Sequence, residues 1–75
     1  MKILGSKLLG KRVITEHGQE LGDVVDAEVS ESGKIGYLIV RPLKGVSIPD
    51  LEVNGLLFID YDHVKGIGDY VVLKL

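Results

Sequence analysis

The sequence predicts an all-β fold, a small single-domain β-barrel of about five to six short strands that takes in residues 1–75 as one domain. The first observation is the composition. The chain is 45% hydrophobic but only 5% aromatic, so its core must consist of aliphatic, largely branched residues, which suit strands. The second is the spread of ten glycines, which suits many tight turns and bends. The third is a period-two alternation of apolar and polar residues, without an amphipathic helix of useful length.

The clearest strand is expected over residues 20–30, directly after a glycine turn at Gly18. Alternation assigns its side chains to two faces, one with Leu21, Asp23, Val25, Ala27 and Val29, the other with Val24, Asp26 and Glu28. A glycine inside a strand commonly marks a bend or the close approach of another backbone. We therefore expect such a feature at Gly22.

Further strands are expected over residues 11–16, 35–40, 56–59 and 70–75, where apolar runs lie between turn residues. His17 and Gly18 are expected to form a two-residue hairpin turn with positive φ. Gly33 is expected in the left-handed position of the next turn. Asp60 is a favourable N-cap, so a single helical turn is expected after it.

Two segments are less regular. Ile3 and Leu4 are expected in a brief strand, and Ser6 is expected to cap one helical turn over residues 7–9. Residues 43–54 contain several turn residues, yet they are too apolar for a free loop. We expect that segment either to lie over the barrel or to take part in an interface.

Charge and composition exclude several classes of function. Nine basic residues are balanced by eleven acidic ones, for a net charge of −2, and they form no basic stripe, so direct binding to nucleic acid is not expected. The absence of cysteine rules out disulfides and thiolate metal sites and fits a reducing compartment. No apolar run is long enough for a membrane-spanning helix, and residues 1–5 lack a signal-peptide core. The cytoplasm is the expected location.

The residues offer little chemistry. Asp60, Asp62 and His63 form the densest polar cluster, but a hard metal ion needs more converging oxygens than this spacing assures. A capped turn with solvated acids is the favoured interpretation, and His17 is interpreted as a turn residue because no partner group for it is evident. No catalytic residue, metal site or cofactor is predicted. That the chain is a hydrolase or a metal protein is kept as a lower-ranked hypothesis.

Several short motifs together resemble the PRC-barrel family. They are Gly10-Lys11-Arg12-Val13, then Gly18 and Gly22-Asp23-Val24-Val25-Asp26, then Gly33-Lys34-Ile35, and finally the run Tyr61-Asp62-His63-Val64-Lys65-Gly66-Ile67-Gly68-Asp69-Tyr70-Val71-Val72-Leu73. Each motif alone is weak, but their order and spacing are fairly specific, and the resemblance covers nearly the whole chain. In place of the proline that the family typically has after the isoleucine of its closing signature, this chain has Asp60 after Ile59.

The resemblance implies a small β-barrel that acts as a non-catalytic protein-interaction adaptor. Such barrels occur in the photosynthetic reaction centre H subunit and in ribosome maturation factors of the RimM type. Short stand-alone versions are typical of archaea, and some are similar to proteins that join the cell-division machinery through its membrane anchor. The resemblance therefore implies a division-complex partner, reached in the cytoplasm or at the membrane periphery through that partner. A ribosome-assembly accessory bound to ribosomal proteins is the alternative.

The residues themselves indicate an interface, because the third and fourth predicted strands are apolar on both faces. A barrel of this size cannot bury both sets of side chains. We expect the surplus to form a contact with a partner or with a second copy, a dimer being favoured, through Leu38, Val40, Val46, Ile48, Leu56 and Phe58. The rival interpretation is that residues 43–54 cover this surplus within the same chain.

Overall fold

The computed structural model describes residues 7–75. Its strands are β1 (Arg12–Thr15), β2 (Glu20–Val29), β3 (Ile35–Pro42), β4 (Glu52–Val53), β5 (Leu56–Asp60), β6 (Val64–Ile67) and β7 (Tyr70–Leu73). Two single-turn 3₁₀ helices, Pro49–Leu51 and Tyr61–His63, precede β4 and β6. The all-β prediction is confirmed, but this part of the chain has seven strands rather than five to six, because β4 and β6 were not predicted.

The strands form one sheet in the order β4-β5-β3-β2-β1-β7-β6. All neighbours are antiparallel except β1 and β7, which are parallel. Within residues 7–75 the edge strands β4 and β6 do not pair with each other, so this part of the chain forms a barrel-like sheet that is not closed, in contrast to the predicted barrel. The 3₁₀ turn Tyr61–His63 connects β5 to β6. It contacts β3, and its His63 carbonyl accepts a hydrogen bond of 2.8 Å from the Lys74 amide just after β7.

One hydrophobic core lies on the inner face of the curled sheet. Its fully buried members come from the strands and from the segment before β1, and they are Leu8, Val13, Leu21, Val24, Leu38, Val40, Leu57, Ile59, Val71 and Leu73. The strand expected over residues 70–75 ends at Leu73, so Val71 and Leu73 are buried in the core while Leu75 is exposed.

The predicted faces of β2 are partly wrong because the strand contains bulges. Leu21, Val24 and Ala27 all contact or belong to the core, a spacing of three residues that simple alternation does not allow. The pairing with β1 skips Leu21, and the pairing with β3 skips Val25. Each extra residue reverses the side on which the following side chains lie.

Gly22 is the site of close backbone approach that the sequence predicted. A Cβ atom there would overlap the carbonyl oxygen of Arg41 and lie 2.9 Å from the Cα of Pro42. The two strands are held at this point by a 2.8 Å hydrogen bond from the Leu43 amide to the Leu21 carbonyl. Only a residue without a side chain allows β2 and β3 to meet this closely.

The turns agree with the sequence in most respects. Gly18 and Gly33 both have positive φ, as predicted, but His17 does not, and the first connection spans four residues between Thr15 and Glu20 rather than two. The Thr15 hydroxyl oxygen organises this longer turn by accepting hydrogen bonds from the amides of His17 (3.3 Å) and Gln19 (3.1 Å).

Residues 43–54 lie against the core, one of the two outcomes predicted for them, with Val46, Ile48 and Leu51 packed on it. The segment ends in a two-residue turn in which Asn54 (φ 52°) and Gly55 (φ 81°) join β4 to β5. Asn-Gly is a strong hairpin signal, so β4 was detectable in the sequence. The strand expected at Ile3 and Leu4 and the cap expected at Ser6 lie outside the described residues.

We predict that Gly22→Ala destabilises the fold by about 2–3 kcal/mol, because backbone rather than a flexible side chain occupies the space that the methyl group needs. Gly36→Ala is the matched control, since its Cβ would meet nothing closer than the Glu28 carbonyl oxygen at 3.8 Å. Its effect should stay within about 1 kcal/mol. Urea unfolding followed by circular dichroism measures both, and equal losses of stability would contradict the role assigned to Gly22.

Candidate functional site

The outer face of the sheet, which points away from the core, carries an ordered set of side chains on β2, β3 and β5. The strand register arranges them in three rows. The acidic row contains Glu28, Tyr37 and Asp60, the middle row contains Asp26, Ile39 and Phe58, and the last row contains Asp23 and Arg41. Directly paired residues have Cβ atoms about 4.5–5.5 Å apart, so each row is a set of neighbours.

The centre of this outer face is apolar. Ile39 and Phe58 are paired across β3 and β5, and Val53 is paired with Leu56 across β4 and β5. Tyr37 is 41% exposed and Val53 is 53% exposed, while the other three are partly exposed. We call these five residues, Tyr37, Ile39, Val53, Leu56 and Phe58, the apolar patch.

The predicted interface residues do not all lie in one place. Leu56 and Phe58 are on the outer face, as an interface needs. Leu38 and Val40 have no exposed surface and belong to the core, so they cannot form a surface contact in this fold, and that part of the prediction is corrected. Val46 and Ile48 are partly exposed but pack against the core.

The correction at Leu38 and Val40 follows from the register. Leu38 pairs with Ile59, and Val40 pairs with Leu57. Paired side chains point to the same side of a sheet, so Leu38 cannot share a face with Phe58. Alternation shows that each strand has two apolar faces, but it does not show which of them turns inward. Tyr37 and Ile39 therefore take the outer positions that the sequence analysis gave to Leu38 and Val40.

Beside the apolar patch lies an open cleft of about 430 Å³, lined by Glu28, Tyr37, Asp50, Leu51, Val53, Phe58, Asp60 and His63. Its lining combines apolar and aromatic side chains with three carboxylates, those of Glu28, Asp50 and Asp60. Within residues 7–75, the ion pairs of 4 Å or less are Arg12–Glu20, Arg12–Asp23 and Lys65–Glu16. None of them includes a carboxylate of the cleft, so no ion pair among the described residues compensates the negative charge of these carboxylates.

The opposite end of the outer face carries charged groups of both signs. Arg12 donates through Nε to Asp23 Oδ1 at 2.7 Å and through Nη1 to Glu20 Oε1 at 2.5 Å. These hydrogen bonds, the one to Asp23 foremost, raise the pKa of Arg12. Asp23 is thereby engaged by Arg12. Arg41 is exposed and makes no ion pair with any acid in the described part of the chain.

The polar cluster after β5 is a capped turn. The Asp62 amide donates to Asp60 Oδ1 at 2.9 Å, which confirms the predicted N-cap. His63 Nδ1 lies 3.1 Å from the Lys74 carbonyl oxygen. Nowhere in residues 7–75 do three or more His, Cys, Asp or Glu side chains converge as metal ligands. Asp60 and His63 of this cluster line the cleft.

Comparison with known proteins identifies a family. The model of the PRC-barrel domain matches residues 1–75, the whole chain, which confirms the resemblance seen in the sequence motifs. No curated protein matches the chain. The described residues include no helix that is long and apolar enough to cross a membrane.

We predict opposite effects from charges introduced at two consecutive positions of β3. Leu38→Asp should prevent folding, because an unpaired carboxylate would replace a fully buried side chain. Ile39→Asp should fold, because its side chain lies on the outer face. Circular dichroism and thermal melting of the two variants are the measurement. If Ile39→Asp failed to fold while Leu38→Asp melted like the wild type, the assignment of inner and outer faces would be wrong.

Proposed function

The chain belongs to the PRC-barrel domain family, and from that premise we propose that it is a non-catalytic protein-interaction adaptor that self-associates and docks a partner protein. Domains of this family are commonly interaction modules and are generally not catalytic. Among the described residues, the candidate sites are the apolar patch with its cleft and the capped turn at Asp60.

The observation that carries the proposal is the apolar patch. Its central pair, Ile39 and Phe58, is on the side of the sheet away from the core. The 3₁₀ turn Pro49–Leu51 contacts β5 and borders the patch through Leu51, but the cleft beside Phe58 remains open. Large apolar side chains grouped on the surface of a small domain are typical of protein contacts. An aromatic residue near the centre is also the kind of residue that dominates binding energy.

Self-association gives the adaptor two physical advantages. A domain of 75 residues buries a limited share of its surface when it folds alone, so pairing through the patch adds apolar burial. A two-fold dimer also presents every remaining surface twice. A partner with two binding sites is then held more tightly than by a single copy, through effective concentration alone.

We place the adaptor in the cell-division machinery of an archaeon, in the cytoplasm or held at the membrane periphery by its partner. The support for this setting is the similarity to short stand-alone PRC-barrel proteins that join the division complex. A ribosome-assembly role, by analogy with the RimM-type factors, is the alternative. The proteins that the chain retains from a cell extract distinguish the division role from the ribosome-assembly role.

We predict that Phe58→Asp keeps the chain folded and shifts it from dimer to monomer, because the charge replaces the central aromatic residue of the patch. Tyr70→Asp is the control, since Tyr70 is an exposed aromatic residue (50%) on β7, away from the patch. Sedimentation equilibrium over a range of concentrations measures the masses. A wild-type chain that is monomeric throughout, or a dimer unaffected by Phe58→Asp, would contradict self-association through the patch.

We further predict that the tagged wild-type protein, in an extract of its source organism treated with nuclease, retains division-complex and membrane-anchor proteins at both low and high salt. Apolar contacts resist salt, whereas exposed charge contacts weaken. The tagged Phe58→Asp variant, tested in the same extract, is the matched control. Retention of ribosomal proteins instead would favour the alternative function, and retention of neither group would count against the adaptor proposal.

A further inference from the structure

The open cleft beside the apolar patch joins apolar surface to carboxylates. Four apolar or aromatic side chains, three acids and one histidine line it, and these are Tyr37, Leu51, Val53, Phe58, Glu28, Asp50, Asp60 and His63. None of these described residues is a lysine or an arginine, and no ion pair within residues 7–75 involves the three acids. Complementary charge favours a ligand that brings a cation, and the apolar lining favours one that also brings an apolar group.

The acidic row determines where the cation would lie. Tyr37 is paired with Glu28 on β2 and with Asp60 on β5, so each acid is about one strand spacing, roughly 4.8 Å, from Tyr37. Asp60 is held in place because its Oδ1 accepts a hydrogen bond of 2.9 Å from the Asp62 amide. A planar, weakly hydrated guanidinium can stack on an aromatic ring and donate to carboxylates on both sides. We call Tyr37 with Glu28 and Asp60 the arginine seat.

The next row determines where the apolar group would lie. Phe58 is two residues from Asp60 along β5, and two residues of a strand span about 7 Å. In an extended peptide, side chains two positions apart point to the same side and have this same separation. Phe58 and the 53% exposed Val53 both line the cleft. They offer an apolar surface to the residue that stands two positions from an arginine in the seat.

We propose that the cleft binds an extended segment of the partner protein in which an arginine and a large aliphatic residue stand two positions apart. The arginine occupies the arginine seat, and the aliphatic residue packs on Phe58 and Val53. The inference rests on the proposed docking of a partner protein and specifies the chemistry of the docked segment. Asp50, on the 3₁₀ turn Pro49–Leu51, adds a third carboxylate to the cleft.

Both halves of the segment are needed to match the cleft. A purely apolar segment would remove the three carboxylates from water without giving them a partner, which is costly. A purely basic segment would leave Phe58 and Val53 in contact with water and would gain only the weak attraction of exposed charges. A segment with both groups avoids each of these losses.

The arginines of this chain do not oppose a cation in the seat. Arg41 is four residues from Tyr37 along β3, about 13 Å. That distance exceeds the Debye length of about 8 Å at physiological ionic strength. The guanidinium of Arg12 is held by Asp23 and Glu20. The nearest charges to the seat among the lining residues are therefore the carboxylates that flank Tyr37.

Peptides of defined spacing test the geometry. The labelled peptides Gly-Ser-Arg-Ser-Leu-Ser-Gly and Gly-Ser-Leu-Ser-Arg-Ser-Gly, which present the two directions along β3, are titrated with the full chain and followed by fluorescence anisotropy. The tighter of the two should bind about fivefold more tightly than Gly-Ser-Arg-Leu-Ser-Ser-Gly, whose arginine and leucine point to opposite sides. Lysine in place of the arginine should weaken binding about threefold, because the stacking plane is lost. Equal binding of the spaced and the adjacent peptides would overturn the inference.

Two variants of the protein test the seat. Glu28→Gln removes a carboxylate beside the guanidinium, and Tyr37→Leu removes the ring. Each should weaken binding of the tighter peptide about three- to fivefold. Glu31→Gln is the matched control, since it removes the same charge in the turn between β2 and β3, outside the cleft lining, and its affinity should stay within about twofold of the wild type. Circular dichroism checks that each variant is folded. Equal losses in Glu28→Gln and Glu31→Gln would contradict the seat.

Failure of this inference is distinguishable from failure of the proposed function. A wild type that retains partner proteins from the extract but binds none of the peptides would refute the arginine seat while the adaptor proposal remained. Equal retention of those partners by Glu28→Gln and by the wild type would refute the cleft as the docking site, while docking elsewhere remained. A wild type that retains neither group of partners would contradict the adaptor proposal on which the inference rests.

Discussion

The contact between the backbones of β2 and β3 at Gly22 is the constraint on which the rest of the structure depends. A Cβ atom there would overlap the Arg41 carbonyl. The backbone of β2 therefore lies closer to that of β3 than any residue with a side chain would permit. This contact fixes Gly22 opposite Pro42 and Asp23 opposite Arg41. The bulges that skip Leu21 and Val25 bend the strand on either side of it. The close contact at Gly22 therefore anchors the register that orders the outer face, and the two bulges beside it curl the sheet around the core.

The register then divides the apolar residues of β3 and β5 into a buried group and a group on the outer face. Pairing Leu38 with Ile59 and Val40 with Leu57 sends one group inward, where all four side chains are fully buried. The same pairing leaves Ile39 and Phe58 as neighbours on the outside. A shift of one residue would exchange the two groups. Two neighbouring strands of the sheet thus supply both core residues and the apolar patch.

Hydrophobic burial drives the contact that we propose. The apolar patch supplies this driving force, which is non-directional and depends on the area removed from water. An adaptor built in this way needs no catalytic groups, which agrees with the general character of its family.

The sequence by itself determined the all-β class, most strand positions, the capped turn at Asp60 and the close approach at Gly22, since these depend on local patterns of alternation and on single residues. It also determined that β3 and β5 have more apolar side chains than one core can take. The inward face of each strand, the open edges of the sheet and the three rows on the outer face were decided only by the tertiary structure. They depend on bulges, such as the one at which the pairing of β2 with β3 skips Val25, and on pairing between strands that are distant in the chain, such as β1 and β7. Period-two alternation cannot record such pairings, because it is the same whichever face turns inward.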